Sequence, residues 1–160
     1  RDAISATVAL CEAAAYYKTK NMTLWDAMVA LYEKYGYYKD AVKSIELKGI
    51  EGLAKIQEIL ETLRNNTPVR IGDYHVVSAR DYKLDTIKDM KTGAVTETGL
   101  PASNVLYYDL NDGAWVCVRP SGTEPKIKFY YGVKGTSLDD AEAKSKAVGD
   151  ELMGMVDKMM

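Results

Sequence analysis

Apolar and polar positions recur along this chain in two rhythms, a helical spacing at both ends and in one central stretch, and strand-like alternation elsewhere. From Ala3 to Tyr17 the spacing is helical but gives two stripes, Ile4, Val8, Cys11 and Ala15 on one side and Ala6, Leu10 and Ala14 on another. A helix apolar on two sides expects cover from more protein than its own neighbours in this chain provide. A second helix opens where Thr23 precedes Asp26 by three residues, the spacing of a capping box in which each side chain bonds the other's backbone N–H. It is expected to bury Leu24, Met28, Leu31 and Tyr35 and to stop at Gly36. That glycine marks an expected domain boundary, with residues 1–35 before it and a domain of residues 36–160 after it.

Beyond the boundary Tyr37 to Leu47 reads as extended, and Ile50 to Arg64 as a helix with Leu53, Ile56, Leu60 and Leu63 at helical spacing. Asn65, Asn66 and Pro68 end it. Val69 to Ile71 and Tyr74 to Asp81 alternate as strands around a Gly72-Asp73 turn, and a polar connection follows from Lys83 to Ala102. Strands resume at Val105 to Leu110, turn at Asn111-Asp112-Gly113 and continue into Trp115. Ser137 then caps a last helix expected to turn Leu138, Ala141, Val148, Leu152 and Met155 inward. The sum is an α+β domain, an antiparallel sheet with two helices packed on one face.

The densest chemistry lies between two of these strands. Ala114 to Val118 reads as a buried strand, Ile127, Phe129 and Tyr131 share a face of the next, and Arg119-Pro120-Ser121-Gly122-Thr123-Glu124-Pro125-Lys126 joins them. Successive backbone N–H groups in a tight turn make an anion-binding concavity. Gly122 allows close approach of the main chain, Ser121 and Thr123 carry hydroxyl donors, and the Arg119 guanidinium matches two phosphate oxygens at once. Lys126 adds a point charge. Glu124 would repel an anion, so it is expected to point away or to orient Arg119 or Lys126. The same residue types also compose any surface turn between strands, and most such turns bind nothing.

A resemblance weighs on that choice. Residues 115–133, Trp-Val-Cys-Val-Arg-Pro-Ser-Gly-Thr-Glu-Pro-Lys-Ile-Lys-Phe-Tyr-Tyr-Gly-Val, closely resemble the phosphate-binding loop and flanking strands of the C-terminal domain of the α-D-phosphohexomutases, in their phosphoglucomutase/phosphomannomutase branch. Leu100-Pro101-Ala102-Ser103-Asn104-Val105-Leu106 resembles the run that precedes this strand pair, and Leu31 to Tyr38 and Gly49 to Gly52 resemble the same branch. The resemblance implies a TATA-box-binding-protein-like fold for residues 36–160, with residues 1–35 a helical remnant of the preceding, third domain. It places substrate-phosphate contacts on Arg119, Ser121, Gly122, Thr123 and Lys126, and no catalytic or metal-binding residue on this chain. The family's Ser-His pair, Asp-x-Asp-x-Asp pattern and Glu-Glu-Ser-x-Gly run do not occur here; the single histidine, His75, follows Tyr74. The phosphoserine and magnesium of a parent enzyme, an intramolecular phosphotransferase interconverting sugar 1- and 6-phosphates through a bisphosphate, are therefore expected on other domains of a longer chain. The implied partners are a hexose phosphate and those domains, and turnover by this chain alone is not expected. The alternative is a stand-alone phosphoanion-binding module without catalysis.

Composition narrows the remaining classes. The chain has 160 residues, 47% apolar and 28% charged, ordinary proportions for a folded domain, and it opens on Arg1, as expected of a piece of a longer protein. A formal net charge of −2 gives no general attraction for nucleic acid or an anionic membrane, so any anion binding is local. No apolar run approaches the ~20 residues of a membrane span. Cys11 and Cys117 fit no metal or redox spacing and are expected as buried free thiols of a cytoplasmic protein. Of the paired tyrosines, such as Tyr107-Tyr108, strand alternation sends one inward and one outward.

Overall fold

The structure, a computed structural model, describes residues 2–47, 49–122 and 124–160. The chain divides into two compact units, Arg1–Tyr37 and Tyr38–Met160.

In the first unit, helix α1 (Ala3–Lys18) starts because the Asp2 carboxylate accepts from the Ser5 N–H at 2.9 Å and the Ser5 hydroxyl at 2.6 Å. Helix α2 (Leu24–Tyr35) carries the capping box expected at its start: Thr23 Oγ1 accepts from the Asp26 N–H, and the Asp26 carboxylate accepts from the Thr23 N–H. Burial departs from the sequence expectation. Only Ala27 of α2 is buried, whereas Met28, Leu31 and Tyr35 stand open, and α1 buries no residue, Cys11 included. Helices with apolar residues on several sides cannot cover those sides with one another, so the excess stays outside.

In the second unit, alternation does what the pattern predicts. Strands β1 (Tyr37–Glu46), β2 (Arg70–Ile71), β3 (Tyr74–Asp81), β4 (Thr86–Asp89), β5 (Val95–Thr96), β6 (Leu106–Leu110), β7 (Trp115–Pro120) and β8 (Lys126–Gly135) form one sheet in the order β1-β8-β7-β6-β3-β4-β5, with β2 beside β3. The pairings β2–β3, β3–β4, β4–β5, β3–β6, β6–β7 and β7–β8 are all antiparallel. The Leu47 N–H bonds the Pro125 carbonyl at 2.9 Å while Asp40 lies over Gly132, so the end of β1 meets the start of β8 and this edge is antiparallel too.

One face of the sheet is the core. Leu106, Tyr108 and Leu110 of β6, Val116 and Val118 of β7, and Ile127, Phe129, Tyr131 and Val133 of β8 meet Ile56, Ile59, Leu60 and Leu63 of α3 (Gly49–Asn65) and Val148, Leu152 and Val156 of α4 (Leu138–Asp157). Each fully buried aliphatic or aromatic chain contributes about 1.5–3 kcal/mol. Gly149 lets α4 close onto the sheet, since a Cβ there would fall 2.3 Å from the Tyr131 hydroxyl. Leu53 and Leu138, expected inward, are 49% and 39% exposed: each lies in the first turns of its helix, before the packed segment begins.

The opposite face carries a column of stacked side chains. Arg80 Cζ sits 5.0 Å above the Tyr107 ring, and Tyr107 stacks on Trp115 at 5.7 Å. The Arg80 guanidinium is held at both ends by Asp109, at 2.8 Å each, and so is not offered to an outside anion. Tyr107 turns outward and Tyr108 inward, where burial pushes its phenol well above the ordinary range. Within the polar connection, β4 and β5 form strands where only loop was expected. Their open end is pinned by the Asp85 carboxylate, which accepts from the Thr98 hydroxyl and from the Thr98 and Gly99 N–H groups at 3.0 and 3.1 Å.

Candidate functional site

Register fixes the loop between β7 and β8. Arg119 pairs with Lys128 and Pro120 with Ile127, so the core-facing prolyl and isoleucyl side chains anchor the loop while Arg119 and Lys128 share the other face. Two cations directly opposite on a sheet repel. An arriving anion would relieve that repulsion.

The loop closes with its own hydrogen bonds. The Ser121 N–H donates to the Lys126 carbonyl at 2.7 Å, the Lys126 N–H to the Glu124 carbonyl at 2.7 Å, and the Glu124 N–H to Ser121 Oγ at 3.3 Å. Three amides of the turn are thus engaged inside it. Gly122 lies at the exposed tip with no left-handed φ, and a Cβ there would meet nothing within 4 Å. The fold itself makes no demand for glycine at this position. Its bare backbone leaves space for something outside.

The expected site residues separate into two groups. Arg119, Ser121 and Gly122 line one open depression of about 710 Å³, together with Leu53, Gln57, Ser103, Asn104, Val105 and Pro120. Among the described residues, the guanidinium of exposed Arg119 makes no hydrogen bond or ion pair. Lys126 does not line this depression. It is drawn to Glu124 at 3.3 Å and Glu46 at 3.6 Å, and chiefly the hydrogen bond it donates to Glu124, with the charges of both carboxylates, holds its ammonium above the ordinary value. Glu124 therefore orients Lys126 rather than Arg119. Thr123 lies outside the described residues.

Behind the depression a buried network fixes the segment before β6. Arg64 at the end of α3 donates from Nε to Asp81 at 2.6 Å, from Nη1 to Glu61 at 2.8 Å and from Nη2 to Asn104 Oδ1 at 2.9 Å. The Asp81 carboxylate also accepts from the Lys83 and Leu84 N–H groups at 2.9 and 3.3 Å. The side chains of Arg64 and Asp81 are 6% and 11% exposed. Sequence reading missed Asn104 and Gln57 as neighbours of the Arg119 loop, because α3 and the segment before β6 meet that loop only through the fold. Lys128 was legible as a surface residue, but its place opposite Arg119 needed the strand register.

Cys117, two residues before Arg119 on the same face, is half-buried, and burial pushes its thiol up against a partial offset from Arg119. It is a packing residue rather than a nucleophile. No group of three or more His, Cys, Asp or Glu residues is placed to hold a metal ion among the described residues, and no described helix is long and apolar enough to cross a membrane.

Residues 77–157, β3 through α4, match the family model of the phosphoglucomutase/phosphomannomutase C-terminal domain. The chain belongs to this family. It is 32% identical over 148 residues to a phosphoglucomutase of Staphylococcus aureus and 29% identical over 147 residues to one of Staphylococcus saprophyticus, in each case across 92% of this chain. Those alignments take in 27% and 26% of the relatives, so the chain spans about a quarter of their length. The fold is also that of part of parafusin, a Paramecium phosphoglucomutase whose crystal structure matches 98% of this chain and 27% of its own at a TM-score of 0.52 and 17% identity. An α+β unit with an antiparallel sheet is thus the phosphoglucomutase C-terminal domain fold.

Proposed function

We propose that this chain is the substrate-phosphate anchor of a cytoplasmic hexose-phosphate mutase, an intramolecular phosphotransferase that interconverts sugar 1- and 6-phosphates through a bisphosphate. The observation that carries the reading is Arg119: a guanidinium with no hydrogen-bond or ion-pair partner among the described residues, lining an open depression beside a glycine that the fold does not itself require. Residues 1–35 are then the end of a preceding domain, and the phosphoserine and magnesium belong to domains beyond this chain.

The reaction makes a particular demand on such an anchor. A bisphosphate that turns around must be held first by one end and then by the other, so the grip must read the PO₃ group and ignore the ring. A guanidinium fork with the Ser121 and Thr123 hydroxyls and the Gly122 amide does so, because every contact ends on a phosphate oxygen. Lys126, already countered by two carboxylates, supplies field rather than a direct bond. Holding the distant phosphate places the reacting end in register, and remote binding free energy then lowers the chemical barrier.

Binding by the isolated chain is weak on this reading. Four charge-assisted bonds of roughly 1.5–3 kcal/mol each stand against an association cost of roughly 4–15 kcal/mol, which leaves an affinity on the order of millimolar. Titration with glucose 1-phosphate, followed by backbone amide shifts, is expected to move Ser121 to Lys126 saturably. Arg119→Ala is expected to weaken binding at least about tenfold, a loss of roughly 1.4 kcal/mol, with the rest of the spectrum unchanged. Saturable shifts centred elsewhere, or turnover by this chain alone, overturn the reading.

A further inference from the structure

We propose that Asn104 is a further phosphate donor in the Arg119 depression and that Arg64 is the positioning residue that aims it, an inference that rests on the phosphate reading of the loop. The argument begins with the two ends of the Asn104 amide. A guanidinium carries only donors, so the 2.9 Å contact from Arg64 Nη2 requires the carbonyl end, Oδ1, to face Arg64. The NH₂ end is left on the other side. There it meets Gln57 Oε1 at 3.5 Å, the outer limit of a hydrogen bond, and this contact uses at most one of its two hydrogens.

Asn104 and Gln57 both line the depression that Arg119, Ser121 and Gly122 line. Arg64 cannot turn to the ligand itself, because Asp81 at 2.6 Å and Glu61 at 2.8 Å hold its other nitrogens and its side chain is 6% exposed. Its effect is exerted through Asn104. A neutral NH₂ donor also suits this wall, since a third cation near Arg119 and Lys128 would add to the repulsion between them. The buried network therefore does more than tie α3 to the segment before β6: it sets which end of one amide faces the phosphate.

The test uses the whole chain and inorganic phosphate, followed by ¹⁵N–¹H spectra that report backbone amides and the Asn104 side-chain NH₂ together. In the unsubstituted protein the Asn104 NH₂ signals are expected to shift along the same saturation curve as the Ser121 and Gly122 amides. Asn104→Asp keeps an oxygen for Arg64 and so keeps the fold, but it removes the donor and adds a negative charge, so phosphate affinity is expected to fall about tenfold or more. Asn104→Ala removes the donor without adding charge, and a fall of about threefold is expected. Arg64→Lys cannot hold Asp81, Glu61 and Asn104 at once. It is expected to weaken phosphate binding about threefold while the thermal transition stays cooperative.

If the loop amides shift but the Asn104 NH₂ does not, and the alanine variant binds as well as the parent sequence, the role of Asn104 is refuted and the loop reading stands. If the loop amides themselves fail to respond, the underlying phosphate reading falls, and this inference with it.

Discussion

Arg64 and Arg119 carry the same charge in the same unit under opposite conditions. Arg64 is buried, and its guanidinium is used up on Asp81, Glu61 and Asn104. Arg119 is exposed and, among the described residues, its guanidinium makes no hydrogen bond or ion pair. Burial forces the first arrangement, since a desolvated cation without partners would cost several kcal/mol. Nothing in the fold forces the second. A folded chain gains little by holding across from Lys128 a guanidinium that no described residue pairs, and the arrangement makes sense if an anion from outside completes it. The difference separates a charge that builds the molecule from one that, on the proposed reading, is kept for a ligand.

The largest expected effect follows from the buried member. Arg64→Ala leaves the Asp81 carboxylate buried without its cation, and a loss of about 3–5 kcal/mol in urea unfolding is expected, against a change within about 0.5 kcal/mol for Arg119→Ala. Adding Asp81→Asn to Arg64→Ala removes the stranded charge and should recover part of the loss. Equal stabilities for the Arg64→Ala and Arg119→Ala proteins would erase the distinction between the two arginines.

How much of this contrast could be read from the chain differs between the two residues. Arg119 was legible, because a cation, two prolines, two hydroxyl residues and a glycine between alternating strands form a local pattern. Both capped helix starts, at Thr23 and Ser137, and the shared face of Ile127, Phe129 and Tyr131 on β8 were legible for the same reason: cap and strand periodicities span a few residues. Arg64 looked like one more charge near the end of a helix. Its partners lie 17 and 40 residues away in Asp81 and Asn104, and no local spacing encodes such a meeting. The β4–β5 hairpin was hidden similarly, since Asp85 is joined to Thr98 across a turn whose residues read as polar loop. Cys11 was expected inside on its apolar neighbours alone and is exposed, because apolar neighbours on a helix do not guarantee a covering surface.

A smaller effect probes the ligand-facing side of the comparison. Glu124 holds Lys126 at 3.3 Å, outside the depression. Glu124→Gln removes a charge that repels an anion and frees Lys126 to approach one, so the affinity for inorganic phosphate is expected to rise about two- to threefold at low salt, a gain that fades as ionic strength rises. The amide titration reads it directly. An unchanged affinity would mean that this pair lies outside the field felt by the ligand, and the contrast would then rest on Arg119 alone.

The smallest effect concerns the surface counterpart of the Arg64 cluster. Lys126 is held above its ordinary value of 10.5 by Glu124 first and Glu46 second, yet both carboxylates are more than half exposed, so solvent screens the attraction. A cation whose folded pKa is raised contributes stability that is fully present below the unfolded value of 10.5 and is lost as the pH climbs through the higher folded value. Lys126→Met should therefore show a slightly lower urea midpoint than the parent sequence at neutral pH, and the gap should close in strong base. Tyrosine ionisation over the same range affects both proteins and cancels in the difference. A gap that persists at high pH would assign the effect to packing of the lysine stem rather than to its charge, and Lys126 would then differ from Arg64 in kind as well as in degree.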